Sequence, residues 1–424
     1  MGALLRQYAA GSALTCDPVD QGLLNRGYRL RTTRGRYFLK HHFDPETADP
    51  AAIARQHRAT QRLADLGVPV APPLAGTDGR TVAVVGGHAY ALHPWIDGRH
   101  RHGGQLTTEQ CARLGALLGV VHASLEQVMP VQAGGPARPP AGAPPRAGAL
   151  AAAGAVPSAG ALPSAGALPS AGALPSAGAL PSAGALPSAG ALSSAGAPPR
   201  TGAPPRAGAL PPARAIPSGE AAPACEAAPV DGAVPADGAD PVDTFALIDH
   251  LLARVRRHRP PDSFDELARH RLLERRVLLE RHADRRPPRG GCVGWVHGDF
   301  HPFNLLYRDG EPAAIVDWDR LGVQPRAEEA VRAAMIFFVR PVGTLDLTKV
   351  RAYARAYRRT AGATPSELAA AVHRVWWERL NDFWILRWHY ERGDTRADPQ
   401  FPAASALAVW WTREYEPVCE AFTG

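Results

Sequence analysis

Four polar side chains lie close together in the stretch VHGDFHPFNLLY, residues 296–307: His297, Asp299, His301 and Asn304. Carboxylate, imidazole and amide groups at this density can bind a metal ion, move a proton or cap a turn. Taken singly, each of them most commonly caps or anchors a loop. A chemical role therefore requires a further polar partner nearby.

The residues that follow predict such a partner. Asp309-Gly310 lies between two apolar runs and is typical of a two-residue hairpin turn. Closing that turn places Asn304 and Asp317 on neighbouring strands, whose opposed Cα atoms lie about 4.5–5.5 Å apart. One oxygen from each can then reach one cation, and this oxygen pair suits Mg²⁺ with its waters and nucleotide phosphates. Asp299 beside that ion can accept a substrate hydroxyl proton as a general base.

Two other interpretations of these residues stay open. In the first, Asp299, Asn304 and Asp317 merely hold the loop and the strand ends, and His297 beside an apolar run is a buried anchor of the loop. In the second, His297, Asp299 and His301 bind the metal of a hydrolase. That site normally needs another ligand at a matching spacing, and HExxH and Cys/His clusters are absent from the sequence.

Composition narrows the class of protein. The 424 residues are 45% hydrophobic, yet the longest uncharged apolar run is far too short to span a bilayer. The net charge of +7 comes from arginines interspersed with acidic residues, without a nucleic-acid-binding motif. We expect no membrane or nucleic-acid partner. The N-terminus lacks a secretory signal, which predicts a cytoplasmic protein, and the oligomeric state is left open.

Cysteine and lysine are used sparingly. The five cysteines form no CxxC pair, so neither a disulfide framework nor a zinc site is expected. Lys40 and Lys349 are the only lysines among 47 basic residues. In a sequence so biased towards arginine, a retained lysine can mark a place that needs a compact ammonium group.

Residues 130–242 differ in character from the rest of the chain. They hold no aromatic residue and six consecutive copies of PSAGAL from Pro157 to Leu192. Proline at every sixth position stops an alanine helix, and such small side chains bury little surface, so we predict a disordered insert. A hexapeptide β-helix would need larger aliphatic residues over more coils. Because each doubling of a loop costs only about 0.6 kcal/mol, the flanks can form one domain.

The elements before and after the insert are of different kinds. TRGRYFLKHH predicts a strand that ends near Lys40, AAIARQHRATQRLADLG a helix closed by Gly67, and TVAVVGGHAYALHPW two strands around Gly86-Gly87. Thr107 and Gln110 form a capping-box pattern before a helix with one apolar face. The part after the insert is predicted to be mainly helical. A small sheet with one helix thus precedes a helical region.

HGDFHPFN followed by Asp317 in IVDWD resembles the aminoglycoside phosphotransferase and choline kinase family, relatives of the protein kinases. The resemblance implies an α+β, bilobal protein-kinase-like fold with a small antiparallel sheet in the N-lobe and a mainly α-helical C-lobe. Residues 1–93 would form the nucleotide-binding lobe and residues 94–129 the start of the C-lobe. The disordered insert, 130–242, would then interrupt it before the catalytic and acceptor-binding part, 243–424.

The family assigns roles to matching positions. By this resemblance Asp299 is the catalytic aspartate, Asn304 and Asp317 are metal ligands, and Lys40 contacts the α- and β-phosphates of ATP. Asp319 matches a second acidic position that assists a second metal. The strand YALHPW would supply the hinge, in which the backbone of two residues holds adenine: Leu92 and His93.

Some positions depart from the family pattern. Gln56 stands near where the family places a glutamate that pairs with the lysine, so an amide hydrogen bond to Lys40 is expected, with Glu46 as a substitute partner. The phosphate-covering hairpin has only Gly22 and Gly27 in place of GxGxxG.

Differences from the protein kinases point to the kind of acceptor. Gly298 replaces the arginine of HRD, Trp318 replaces the phenylalanine of DFG, and no APE follows. These absences remove the activation loop and the peptide platform. The resemblance therefore implies an ATP- and Mg²⁺-dependent kinase for a small-molecule hydroxyl, such as an aminoglycoside, an amino alcohol or a homoserine-like acceptor. The alternative is a catalytically inactive kinase-like nucleotide-binding module.

The C-terminal region is rich in tryptophan, with six of the nine tryptophans after residue 375. Aromatic faces beside Glu378, Asp382 and Glu414 can hold an amine or quaternary ammonium group. Trp377 and Trp384 recur at helical spacing, however, and that pattern favours a buried helix face.

Overall fold

The structure is a computed structural model that describes residues 1–19, 26–43, 49–129, 238–288, 290 and 293–424. The predicted disordered insert, with its PSAGAL repeats, lies outside these residues except for its last five positions. There the structure differs from the predicted boundary: a helix begins at Pro241, because the Asp240 side chain accepts a hydrogen bond from the Val242 N–H.

Five antiparallel strands form the N-terminal sheet, in the order β1-β2-β3-β5-β4. Helix α1 (Gly2–Gln7) precedes them, and helix α2 lies between β3 and β4. The bounds are β1 Ala13–Val19, β2 Arg26–Thr32, β3 Gly35–His42, α2 Pro50–Asp65, β4 Ala83–Val85 and β5 His88–Pro94. The strand predicted to end near Lys40 continues to His42. The predicted turn is confirmed, since Gly86 and Gly87 both have positive φ.

The two faces of this sheet carry different kinds of side chain. Leu39 and Leu92 are opposed on β3 and β5 and pack with Leu4 and Leu5 of α1 in a small apolar core. Because side chains alternate along a strand, the next residue, Lys40, lies on the opposite face. Strand alternation thus directs the lysine away from the α1 core.

Nine α-helices, six short 3₁₀ or π-helical segments and four short strands make up the described C-terminal lobe. The helices are α3 Thr108–Val128, α4 Pro241–Arg257, α5 Ser263–Arg281, α6 Arg326–Phe338, α7 Leu347–Ala361, α8 Pro365–Asn381, α9 Trp384–Arg387, α10 Phe401–Arg413 and α11 Tyr415–Thr423. The strands form two antiparallel pairs: β6 Val293–Val296 with β9 Gly322–Pro325, and β7 Leu305–Arg308 with β8 Glu311–Ile315. The predicted capping box of α3 is present, with the Gln110 N–H 3.2 Å from the Thr107 hydroxyl.

One large apolar core joins these helices and includes Ala59 and Leu63 of α2. The predicted combination of a small antiparallel sheet and a mainly helical lobe is confirmed. Among the residues that the structure describes, no helix is long and apolar enough to cross a bilayer.

Candidate active site

Two loops of the C-terminal lobe lie side by side, one between β6 and β7 and the other between β8 and β9. The Asp309-Gly310 turn closes the β7–β8 hairpin with positive φ at both residues, as predicted. The Val316 N–H then donates to the Asn304 carbonyl over 2.9 Å. This contact brings Asn304 and Asp317 to adjacent positions, as the hairpin geometry required.

The hairpin is also fixed to the segments that link it to the N-terminal sheet. Arg99 and Tyr307 exchange two backbone hydrogen bonds of 2.8 and 2.9 Å, and the Ile315 N–H donates to the Pro69 carbonyl over 2.7 Å. Pro69 follows α2, and Arg99 follows β5. The loops that carry Asn304 and Asp317 are therefore held beside the face of the sheet that carries Lys40.

Asp299 lies in a basic environment at the start of this loop. Its Oδ2 is 3.5 Å from His301 Nε2, and its Oδ1 is 3.6 Å from the Arg320 guanidinium. Burial acts to raise the pKa of Asp299, but the His301 hydrogen bond and the Arg320 charge outweigh it and leave the pKa below its ordinary value. The group is thus an ionised carboxylate near neutral pH, as a proton acceptor must be.

His297 holds the loop from inside the protein. It is fully buried, its Nε2 donates to the Val316 carbonyl over 3.0 Å, and its Nδ1 accepts from the Asp299 N–H over 3.2 Å. Burial lowers its pKa, so the ring is neutral. The predicted anchoring role is confirmed. Because both ring nitrogens are engaged, the hydrolase-type metal set that included His297 does not fit.

Gly298 meets a steric requirement that the sequence alone did not reveal. Its φ is +83°, and a Cβ at this position would lie 2.1 Å from the Arg320 carbonyl oxygen. A side chain here would strain the backbone and collide with the neighbouring loop. Glycine therefore allows the two loops to approach each other closely.

Asn304 is buried and uses its amide nitrogen within the loop. Nδ2 donates to the Asp299 carbonyl over 2.8 Å and lies 3.3 Å from His301 Nε2. His301 in turn caps the short helical turn that follows, because its Nδ1 accepts from the Phe303 N–H. With Nδ2 engaged, the Asn304 side-chain oxygen is the atom suited to a cation.

Lys40 crosses from the sheet to the second loop. Its ammonium nitrogen lies 2.6 Å from Asp317 Oδ1 and 2.7 Å from Asp319 Oδ1. Burial acts to lower the pKa of Lys40, but the two carboxylates outweigh it and raise the pKa above its ordinary value. Conversely, burial acts to raise the pKa of Asp317, and the Lys40 charge lowers it well below the usual range. Lys40 and Asp317 are therefore both charged.

The expected hydrogen bond from Gln56 to Lys40 is replaced by another contact. Gln56 Nε2 donates to the backbone carbonyl of Asp319 over 2.8 Å, and the Asp319 carboxylate pairs with Lys40. Helix α2 thus reaches the lysine through Asp319. The sequence pattern assigned Asp319 to a second metal and did not predict its ion pair with Lys40. The substitute partner, Glu46, lies outside the described residues, as does Gly22.

The two expected hinge residues differ in what they offer. The Leu92 carbonyl already accepts from the Leu74 N–H over 2.7 Å, and its side chain belongs to the α1 core. His93 faces the same side of the sheet as Lys40, because it is opposed to Phe38, two residues before the lysine. Burial lowers the His93 pKa to about 4, and Nδ1 bonds the Ala71 carbonyl. His93 is therefore neutral, and of the two residues it is the better placed for the expected hinge role.

The tryptophan-rich region is mostly core. Trp376, Trp377 and Trp411 are at most 1% exposed. The Glu378 and Asp382 carboxylates both pair with Arg379 and are not free for an ammonium group. Trp377 is buried as predicted, but it does not share a helix face with Trp384, because α8 ends at Asn381 and Trp384 begins α9 and is only partly buried. The three buried tryptophans and the paired carboxylates form no aromatic cage.

Comparisons with known proteins bear on the family and the fold of the chain. A family model described as "Phosphotransferase enzyme family" matches residues 15–173 and 219–363. Two curated relatives are homoserine kinases. The one from Neisseria meningitidis serogroup B is 31% identical over 122 residues, 29% of this chain and 38% of that protein. The one from Bartonella tribocorum is 26% identical over 118 residues, 28% of this chain and 36% of that protein. The chain therefore spans little more than a third of each relative.

A solved structure is similar over almost the whole chain. It is a spectinomycin phosphotransferase in complex with ADP and spectinomycin, with a TM-score of 0.50 and 11% identity over 99% of this chain and 95% of that one. At this identity the likeness shows the fold alone. The predicted bilobal kinase-like fold is confirmed.

Proposed function

Because this chain belongs to the phosphotransferase enzyme family, we propose that it transfers the γ-phosphoryl group of ATP to a hydroxyl group of a small molecule. One observation supports the proposal: a buried lysine, two carboxylates and an amide side chain, from elements more than 250 residues apart, meet at one site. These residues are Lys40, Asp299, Asn304 and Asp317.

Each residue has a distinct task in this proposal. Asp299 accepts the proton of the acceptor hydroxyl. The oxygen of that hydroxyl forms a bond to the γ-phosphorus, while the bond between the γ-phosphorus and the bridging β-phosphate oxygen breaks. Asn304 and Asp317 hold Mg²⁺, which, when bound, neutralises charge on the phosphate oxygens. Lys40 exchanges a carboxylate partner for the α- and β-phosphates. His93 at the end of β5 supports the adenine.

The acceptor class is proposed from the relatives and from the site. Two relatives bear the name homoserine kinase, so homoserine-like amino alcohols come first among the acceptors to test. The Arg320 guanidinium, about half exposed and 3.6 Å from Asp299, is placed to meet an anionic group of such an acceptor. Glu378 and Asp382 are paired with arginine, which gives little support to a polycationic aminoglycoside at that place.

The test is a phosphotransfer assay with an acceptor panel. ADP release with ATP and Mg²⁺ is measured against homoserine, choline, aminopropanol and aminoglycosides. Asp299→Ala should lower kcat by roughly 10²–10⁴, as expected when a general base is removed, without a change in Tm. Asp65→Ala, at the exposed end of α2, is the matched control. A wild-type kcat in Asp299→Ala would contradict the assignment.

The alternative, an inactive nucleotide-binding module, has one observation in its favour. Lys40 is already paired with two carboxylates, which compete with a phosphate for its ammonium group. Thermal shift separates the two functions. An enzyme shows Mg²⁺-dependent stabilisation by ATP together with turnover, whereas a binding module shows the stabilisation without turnover of any acceptor.

A further inference from the structure

The end of α4 and the start of α5 bring one imidazole and two carboxylates together. His258 follows α4, Asp262 caps α5, and Asp265 lies in the first turn of α5. One ligand atom from each residue lies within 4.8 Å of the others, and His258 Nδ1 is 2.9 Å from Asp265 Oδ2. The three atoms can therefore converge on one small cation.

We propose that His258, Asp262 and Asp265 form a binding site for a divalent transition-metal ion of the Zn²⁺ type, which joins the ends of α4 and α5. An imidazole nitrogen and two carboxylate oxygens are ligands that Zn²⁺ accepts, with water in a fourth position. The site uses no cysteine, which is why the cysteine pattern of the sequence did not indicate it. It shares no residue with the candidate active site and does not depend on the proposed function.

Two of the three ligands are open to solvent. Asp262 is exposed, and its Oδ1 accepts the Asp265 N–H of the helix cap over 2.9 Å. Arg259 does not neutralise this carboxylate, because its guanidinium donates to the backbone carbonyls of Arg256 and His258. The His258 side chain is 37% exposed. An ion bound at Nδ1 replaces the hydrogen that now bonds Asp265, and the ring then carries its hydrogen on Nε2.

The third ligand, Asp265, is buried and is held from the C-terminal part of the chain. A π-helical turn, Trp388–Arg392, carries Tyr390, whose hydroxyl donates to Asp265 Oδ1 over 2.7 Å. This bond fixes the carboxylate and leaves Oδ2 for an ion. Outer hydrogen bonds of this kind orient the ligands of metal sites, and π-helical turns are rare and frequently found at functional sites.

A second histidine–aspartate pair lies beside the first. The ring centroids of His258 and His389 are 5.5 Å apart, and His389 Nδ1 is 2.8 Å from Asp398 Oδ2. The other oxygen of Asp398, Oδ1, is buried and has no hydrogen-bond partner in the described part of the chain. A buried carboxylate oxygen without a donor is costly, and a cation with its water ligands meets that need. The helix cap alone does not account for this oxygen.

Three carboxylates surround one hydroxyl group at this junction. Burial, the hydrogen bond to Asp265 and the charges of Asp265, Asp262 and Asp398 raise the pKa of Tyr390 above its ordinary value. The hydroxyl therefore stays a donor, and Asp398 lies within electrostatic reach of it. Like charges this close repel one another, and a divalent cation bound at the junction lowers that repulsion.

The experiment measures Zn²⁺ binding to the chelator-treated full chain by titration calorimetry. Asp262→Asn should weaken Zn²⁺ binding by more than about 100-fold, since asparagine keeps the helix cap and removes the carboxylate ligand. Asp49→Asn is the matched control, because Asp49 is exposed and caps α2 through its side chain. It should bind Zn²⁺ as the wild type does. Without metal, both variants should lose the same small amount of Tm, from the charge removed at a helix N-terminus.

Further variants separate this site from the candidate Mg²⁺ ligands. His258→Gln should weaken Zn²⁺ binding as Asp262→Asn does, and Tyr390→Phe, which removes only the outer bond, should weaken it about tenfold. Asp317→Asn should leave one Zn²⁺ bound per chain at wild-type affinity.

Three results would overturn the proposal. They are wild-type Zn²⁺ affinity in the Asp262→Asn/His258→Gln double variant, loss of Zn²⁺ binding in Asp317→Asn, and a wild-type chain that binds no Zn²⁺. A chain that transfers no phosphoryl group but binds Zn²⁺ through His258 and Asp262 contradicts the proposed function and supports this site.

Discussion

Lys40 and Asp299 are both charged groups of one site, yet the structure holds them in different ways. Lys40 sits on a strand, and its ammonium group makes two ion pairs of 2.6 and 2.7 Å. The Asp299 carboxylate makes only long contacts of 3.5 and 3.6 Å, while the backbone of its loop is fixed by Glu329 and His297. Lys40 is held through contacts of its charged group, whereas Asp299 is held through the backbone of its loop.

In the proposed reaction Lys40 changes its ion-pair partners, whereas Asp299 keeps its contacts. A phosphate that contacts Lys40 competes with these two carboxylates for the ammonium group, and a metal ion at Asp317 competes with the lysine for the carboxylate charge. Asp299 needs no such exchange to accept a proton. In the proposed function, with Asp299 as the base and Lys40 changing partners, nucleotide binding carries the conformational cost of the reaction.

The largest effect is expected from Lys40→Met, which keeps the length of the side chain and removes its charge. The kcat/KM for ATP should fall by about 10²–10³, since a charge that stabilises the phosphates is lost. Asp317 and Asp319 would then face each other without an ammonium group. Mg²⁺ alone should therefore raise the Tm of the variant more than that of the wild type, as measured by thermal shift.

The second lysine supplies the control for that variant. Lys349 donates to the Gly103 carbonyl over 2.7 Å and is not part of the site. Lys349→Met should leave KM for ATP and the Mg²⁺-induced shift at wild-type values. An equal Mg²⁺-induced shift in Lys40→Met and the wild type would show that the lysine does not compete with a cation for the carboxylates.

A smaller effect is expected when the fixed loop is disturbed at Gly298. Gly298→Ala adds a methyl group 2.1 Å from the Arg320 carbonyl oxygen at a φ of +83°. The loop must move, and kcat should fall by about 10- to 100-fold, with a lower Tm. Gly67 has almost the same φ, +82°, with nothing within 4 Å of its Cβ position. Gly67→Ala should cost Tm but not kcat, and equal losses of kcat would contradict a specific role of the loop.

The sequence allowed much of the fold to be predicted, because the relevant signals are local. Gly86-Gly87 and Asp309-Gly310 marked two hairpin turns, a Thr107–Gln110 capping box marked the start of α3, and alternation marked the strand of Lys40. The adjacency of Asn304 and Asp317 also followed from a single short hairpin. Each of these features depends on residues that are near each other in the chain.

The contacts that set the site's electrostatics escaped prediction, because they join distant segments. Glu329 and His122 are 207 residues apart, and nothing in a single sequence indicates that they meet. The pairing of Lys40 with Asp319 required knowledge of where two lobes touch. Gln56 was noticed as an exception, but its partner, a backbone carbonyl, has no sequence signal. Tertiary partners of buried polar groups thus remain the part that a sequence does not specify.

The smallest effect is expected from Gln56→Glu, which restores the charge usual in the family. Glutamate cannot donate to the Asp319 carbonyl, so the 2.8 Å bond is lost, at about 1 kcal/mol. Lys40 already has two carboxylate partners, and a third adds repulsion to Asp319. We expect a lower Tm and a KM for ATP that rises by about two- to fivefold, corresponding to that lost bond. Gln56→Ala, which removes the bond without adding charge, separates the two causes. If KM for ATP falls in Gln56→Glu, Asp319 does not replace the glutamate that the family usually carries on this helix. ATP binding by the wild-type protein would then be limited by the missing negative charge on α2.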